Sequence, residues 1–274
     1  MLRQLSDYRG QELVTAISEI VRRHRPVHLS LVGGEPLVRY SELCDLLPLL
    51  DRSGVEVQLV TSAVRPIPVE WNSIGCMHLV VSVDGLPPEH DRRRAPATYE
   101  RILKNIARHR VIVHCTVSRQ MLGRRGYLAD FCRFWSDRPE ARRIWFSMYT
   151  PQEREDSPQR LRPQDRETVL DELCAVAAEF PKVHLPREVL EGYRNPPPSP
   201  RECTFARVTT CLSADLRTRI GPCQLGGRPV CTECGCMAAA GMHAVSEWKL
   251  AGIIPLSTLL NTSIRVGARL AGSL

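Results

Sequence analysis

The apolar pattern of this sequence predicts an α/β fold, parallel strands alternating with helices, followed by a small Cys-rich C-terminal domain. Three observations carry that expectation. Short apolar runs at 27–32, 55–60, 77–83, 111–117 and 144–148 alternate with helix-periodic segments, a spacing that implies right-handed crossovers between parallel strands. A Pro-rich stretch at 195–200 separates the two parts. Six of the eleven cysteines crowd between Cys203 and Cys236.

The 274 residues can bury one large core, or one core and a small appendage. With 43% hydrophobic and 24% charged residues the composition is that of a soluble globular protein. No apolar run approaches the ~20 residues of a bilayer span, and residues 1–9 lack the apolar stretch of a signal peptide. The expected location is cytoplasmic. The apolar stretch 253–260 is too short to span and is expected to pack. A net charge of +7 raises nucleic acid as a partner, but Arg92-Arg93-Arg94 is the one run of three arginines. Aromatic residues make up only 5%, few platforms for stacked bases, so nucleic acid is not expected.

Taken in order, Leu13, Ile17, Ile20 and Val21 recur at helical spacing over 11–24, and Pro26 stops that helix. A βα barrel should not open on a helix, so a strand is expected upstream of the sequence in hand. Next comes Val27-His28-Leu29-Ser30-Leu31-Val32-Gly33-Gly34-Glu35-Pro36, a strand that stops in two glycines, a carboxylate and a proline. Gly33 and Gly34 lack a Cβ, so a ligand can lie against their backbone. Pro36 stiffens the exit, and Glu35 sets an acceptor at the strand's C-terminal edge. Further helices are predicted near 41–52, 99–109, 127–135 and 165–180. Residues 193–200 read as a stiff, non-helical linker.

Parallel sheets collect ligands where their strands finish. Those ends present Gly33 to Pro36, Thr61, Ser62, Ser82, Asp84, Thr116, Ser118 and Ser147. As a set, these hydroxyls and carboxylates suit a ligand with ribose and amino-acid ends. For any one hydroxyl taken alone, capping the next helix is the favoured explanation.

The cysteine cluster is the strongest chemical signal. Cys231-Thr232-Glu233-Cys234-Gly235-Cys236 places three thiols within six residues, with Gly235 allowing the backbone to fold around an ion, and Cys203, Cys211 and Cys223 stand upstream. Such a cluster in a chain without a secretion signal reads as metal or iron-sulfur ligation before disulfides. Four thiolates bind zinc or hold an iron-sulfur cluster, and spacing alone does not separate the two. Eight Lys or Arg against four Asp or Glu over 201–274 suit a thiolate-rich site or an acidic partner. Cys44, Cys76, Cys115, Cys132 and Cys174 lie among apolar neighbours and are expected as small core residues.

Strand, Gly33-Gly34-Glu35-Pro36 and helix, then Ser82-Val83-Asp84-Gly85 and His90-Asp91 with Arg92 to Arg94, together resemble the core of the radical S-adenosylmethionine (SAM) enzymes. The resemblance implies a partial (β/α)6 barrel missing its first strand over 1–194, a linker at 195–200, and an auxiliary-cluster domain of the SPASM or twitch kind over 201–274. It implies SAM as ligand, with Gly33, Gly34, Glu35, Pro36, Ser62, Ser82, Asp84 and Ser118 as binding candidates. It also implies reductive SAM cleavage and radical chemistry on an unknown peptide or small-molecule substrate, with ferredoxin or flavodoxin as electron donor. Laid on this chain, the auxiliary 4Fe-4S pattern assigns Cys203, Cys223, Cys231 and Cys234 as ligands, with Cys211 and Cys236 in reserve and zinc as the alternative metal.

Three departures stand out. Thr61-Ser62-Ala63 replaces the family's usual Thr-Asn-Gly, and Thr218 stands where the auxiliary pattern has a glycine. The CxxxCxxC loop that holds the SAM-cleaving cluster is absent, with no Cys before Cys44. This polypeptide alone is therefore not expected to cleave SAM, and a non-catalytic binding protein with a structural zinc or iron-sulfur module is the alternative reading.

Overall fold

The computed structural model describes residues 7–250 and 252–271. Helix α1 (Gly10–His24) buries Val14, Ile17 and Val21 on one face and ends where Arg25 turns left-handed (φ 44°) just ahead of Pro26. Glu42 ties it to the next helix by accepting the N–H of Gly10 at 2.9 Å. Strand β1 (His28–Leu31) leads through a 3-10 turn at Pro36–Arg39 into α2 (Tyr40–Arg52). There follow β2 (Glu56–Thr61), β3 (Met77–Ser82), the short α3 (Glu89–Arg94), α4 (Tyr99–Ile106), β4 (Val111–Val117), α5 (Tyr127–Ser136), β5 (Ala141–Met148) and α6 (Pro163–Glu179).

The five strands form one sheet in the order β1-β2-β3-β4-β5, every neighbour parallel, as the alternation of strands and helices predicts. Beyond β5 the sheet continues as a single parallel bridge between Ile144 and Val183, with Ile144 N–H bonded to Lys182 O at 2.8 Å. The helix-covered face carries the core: Val57, Leu59, Val81, Val113, Cys115, Phe146 and Met148 pack against Leu46, Leu50, Ile102, Phe131 and Trp135. The opposite face alternates with it and holds Ser82, His114, Thr116, Trp145 and Ser147, all half-buried. Parallel sheets usually bury both faces, so this polar inner face is the first structural mark of a site.

After α6 come α7 (Arg187–Arg194), α8 (Thr204–Val208), a 3-10 turn at Cys231–Glu233, α9 (Met237–Glu247), the hairpin β6 (Lys249–Leu250) with β7 (Ile254–Pro255), and α10 (Leu256–Ala271). Gly192 lets α7 and α9 close, because a Cβ there would meet Ala240 Cα at 3.0 Å.

Four sequence expectations need correction. Tyr193 and Arg194 belong to α7, so the non-helical stretch starts only at Asn195; Tyr193 is buried and anchored, which outweighs the prolines that follow it. The helix from Tyr99 stops at Ile106, after which the His109 ring turns inward to Asn72 and the Ile67 carbonyl. Cys174 is exposed on α6 rather than in the core, while Cys115 and Cys132 are fully buried. The stretch 253–260 is not packed throughout, since Ile253 is 79% and Leu259 47% exposed. Among the described residues no helix is long and apolar enough to cross a membrane.

Candidate functional site

Gly33 (φ 149°) and Gly34 are exposed, and a Cβ on either would meet nothing within 4 Å. Their backbone is open to a ligand. Glu35, expected as an acceptor for such a ligand, is engaged inside the protein. Its Oε1 accepts from Leu37 N at 3.0 Å and from the Thr61 hydroxyl, and its Oε2 accepts from Ser62 N at 2.9 Å and from the Ser62 hydroxyl. Glu35 thus caps the turn that Pro36 begins and clamps the end of β1 to the end of β2. Ala63, standing where the family pattern has a glycine, adopts the left-handed conformation a glycine would favour (φ 52°). The bonds from Ala63 N to Thr61 Oγ1 (2.9 Å) and from Asn105 Nδ2 to Ala63 O (2.8 Å) hold it there.

At the end of β3, Asp84 is buried and paired with Arg94 Nε at 2.7 Å, with the Thr116 N–H at 3.4 Å. His90 is fully buried, accepting Asp84 N–H at Nδ1 (3.0 Å) and bonding Ala97 O through Nε2 (2.8 Å), and burial lowers its pKa. Asp91 Oδ1 accepts the Tyr99 N–H at 2.8 Å. The His-Asp pair therefore shapes the loop after β3. Ser82 lies in register with His114, and Ser118 is fully buried, its hydroxyl without a partner among the described residues.

The cysteine segment is welded to the C-terminal end of β5. Met148 N donates to Gly235 O at 2.8 Å, Val230 N to Pro151 O at 2.9 Å, and Glu153 N to Arg228 O at 2.8 Å. Gly235, expected to let the chain wrap an ion, instead lets it lie directly on β5. The buried guanidinium of Arg166 donates to three carbonyls, Glu233 (2.9 Å), Cys234 (3.1 Å) and Tyr193 (3.2 Å), while Arg160 Nε pairs with Glu233 Oε2 at 3.0 Å.

Cys203, Cys223, Cys231, Cys234 and Cys236 line one cavity, walled otherwise by apolar groups such as Phe205, Leu225 and Pro197. Burial raises the pKa of Cys231, and Cys234, Cys223 and Cys203 raise it further. Cys234 is raised by burial with Cys203 and Cys223 adding, and Cys223 by burial with Cys203 adding. Cys203 and Cys223 thus both act on Cys231 and on Cys234. The two reserves differ: Cys236, pushed up to about 12 by burial with Cys234 adding, accepts from Gln224 Nε2 at 2.9 Å, and Cys211 is raised by burial with Cys223 adding and Arg219 opposing. The turn that lacks a glycine at Thr218 is made by other residues. Asp215 bonds the N–H groups of Arg217 (3.1 Å) and Thr218 (2.9 Å), and Leu216 takes the left-handed conformation (φ 53°).

Arg166, His114 and Tyr193 escaped the reading of the sequence as site residues. His114 left a signal, a single basic group in the otherwise apolar run 111–115. Arg166 left none, since nothing local marks an arginine whose partners lie 67 and 68 residues away.

No family model matches the chain, and no curated protein matches it. Among solved structures it is similar to Streptococcus suis SuiB bound to S-adenosylmethionine, with 16% identity over 64% of this chain and 40% of that one and a TM-score of 0.49. SuiB bound to the precursor peptide SuiA gives 17% identity over 62% and 41%, with a TM-score of 0.45. TYW1 with a lysine-pyruvate adduct bound gives 16% identity over 58% and 57%, with a TM-score of 0.39. The chain spans about two fifths of the length of the SuiB chain.

Proposed function

We propose that this chain is a radical SAM family protein that binds SAM at the C-terminal rim of its sheet and holds an auxiliary 4Fe-4S cluster through Cys203, Cys223, Cys231 and Cys234. The observation that carries the proposal is the apolar cavity lined by those four thiols together with Cys236. Among the described residues no three ligating side chains converge at the distances a single ion requires. An apolar cavity lined by thiols suits a cubane cluster or one zinc ion, and the resemblance of the cysteine spacing to the auxiliary pattern is what favours the cluster.

When bound, the auxiliary cluster would supply a redox centre at the end of β5. The chain's own residues do the rest. Arg166 and Gly235 fix the ligand-bearing segment, the apolar wall keeps water from the thiolates, and the open backbone of Gly33 and Gly34 offers its polar groups to the amino-acid end of SAM. No residues here fit the SAM-cleaving cluster, because no CxxxCxxC exists, and no step of that cleavage is assigned to this chain. The same thiol-lined cavity also suits one second reading, a non-catalytic binding protein with a structural metal.

Anaerobic purification with iron, sulfide and zinc counted on the same sample tests the proposal. Brown protein with about four irons per chain is the expected result. Colourless protein with one tightly held zinc would sink the auxiliary cluster and favour the second reading.

A further inference from the structure

The N-terminal edge of the sheet, at the far end of the strands from Gly33, Ser62 and Asp84, gathers cations. Arg108 and Arg110 lead into β4, Arg138 precedes β5, Arg142 and Arg143 open it, and Lys182 stands just before the bridge residue Val183. Because these segments run parallel, their starts lie together. Hydrogen bonds fix the arrangement. Val111 N donates to Glu140 O at 2.8 Å, Ile144 N to Lys182 O at 2.8 Å, Lys182 Nζ to Arg138 O at 2.6 Å, and Asn72 Nδ2 to Arg108 O at 2.9 Å. Asp137 and Glu140 are the carboxylates in the same turns. Among the described residues none of the six cations forms an ion pair.

Two features set this edge apart from a scatter of solvated arginines. The register of β4 and β5 shifts so that Val111 faces Ala141 and Ile112 faces Arg143, which leaves Arg142 with no partner across the ladder. Simple alternation would turn Arg142 toward the helix-covered face with Ile144 and Phe146; the bulge leaves it exposed instead. Arg138 lies over the Phe134 ring with its guanidinium carbon 4.0 Å from the centroid, which holds the cation in place and covers the ring. Crowded like charges work against a compact fold. The crowding is felt at Lys182, whose pKa is lowered by burial and by Arg110, with Asp137 and Glu140 opposing.

We propose that the N-terminal edge of β4 and β5 is a docking surface for an acidic polypeptide. Five of the six cations are guanidinium groups, which take carboxylates through paired hydrogen bonds. Carboxylates on one side of an extended peptide recur every ~7 Å and neighbouring strands start ~5 Å apart, so a peptide crossing the strand starts meets one cation after another. Nucleic acid would bring phosphates to the same cations, but the ring nearest them, Phe134, lies under Arg138 and offers no platform for a base. A membrane surface would need apolar anchors, and none of the exposed large hydrophobic residues belongs to these turns. A partner docked here leaves the rim of strand ends open. The surface is independent of the thiol site and of SAM.

Fluorescence anisotropy on the full chain tests this with a labelled oligoglutamate and a single-stranded RNA of matched length, and co-sedimentation tests vesicles of phosphatidylcholine and phosphatidylglycerol. The expected result is saturable binding of oligoglutamate that weakens as salt rises and is tighter than binding of RNA or vesicles. Replacing the exposed Arg108, Arg110 and Arg142 together by Ser should weaken it roughly ten-fold. Replacing the exposed Arg9, Arg22 and Arg23 by Ser removes the same charge at α1 and should change it less than about two-fold. Arg142→Glu alone, a reversal at one exposed bulge residue, is the second variant and should weaken binding several-fold at an unchanged urea midpoint. Equal losses in the two triple variants, no loss in Arg142→Glu, tighter binding of RNA or vesicles, or no saturable binding of oligoglutamate overturns the proposal.

Discussion

Gly235 lies so close to Met148 that a Cβ on the glycine would stand 2.2 Å from Met148 O. Only a glycine can hold the segment between Cys234 and Cys236 against the last residue of β5, and the N–H of Met148 bonds back to Gly235 O at 2.8 Å. Gly235→Ala is therefore expected to push both flanking cysteines off the sheet and to lower bound iron several-fold. Gly241→Ala is the control, since a Cβ there meets nothing within 4 Å and a helix interior gains from the change. Metal counts on the two purified variants check this; equal metal in both would show that the segment does not depend on its seat.

Arg166 holds the same segment from the other side. Arg166→Met leaves the carbonyls of Glu233, Cys234 and Tyr193 without their donor in a buried setting, at a cost of about 2–4 kcal/mol. Arg166→Lys, with three donors on a point charge but no planar fork, should recover part of that loss. Urea unfolding of the three proteins measures it. Arg160→Ala, which removes an exposed partner of Glu233, should have little effect by comparison.

Burial sorts the cysteines outside the cavity. Cys132, pushed up to about 12 by burial, and Cys115, raised well above its usual range by the same cause, are fully buried, whereas Cys174 is exposed. Iodoacetamide under native conditions at mildly alkaline pH should modify Cys174 and spare Cys115 and Cys132 until the chain unfolds. Peptide mass mapping reads the result. Early labelling of Cys115 would mean that the sheet opens more readily than its packing implies.

The order of the parallel sheet was legible because each strand is a compact apolar run, and the one following α4 was read at its observed bounds, Val111–Val117. Strand ends were legible too, since Gly33, Ser62 and Asp84 are chemically conspicuous. What those residues do was not. Glu35 looks like a ligand group in sequence, yet its partners are Thr61 and Ser62, reached only through tertiary contact. The exposure of Cys174 escaped for a related reason, because α6 has apolar residues near it in sequence and solvent on that side in space. The sheet's inner face was hidden as well, since alternation marks two faces without saying which one helices cover.

His114 gives the protein an acid sensitivity with a defined window. Burial pushes its pKa down to about 4 from 6.5, with Arg94 also lowering it and Asp84 opposing both. Between those values the unfolded chain binds a proton that the folded one does not, so stability is complete above about pH 6.5 and falls as the pH drops toward 4. The loss from this one residue is at most ~3 kcal/mol. His90 and His109, also lowered by burial, act in the same direction and remain in a His114→Gln variant. That variant should therefore keep some dependence on pH but show a shallower slope over this window than the native protein. Urea midpoints taken at half-unit steps from pH 4.5 to 7.5, an interval of roughly the breadth such a shift spans, measure both slopes. Identical slopes would mean that the His114 ring takes up its proton as freely in the folded protein as in the unfolded chain.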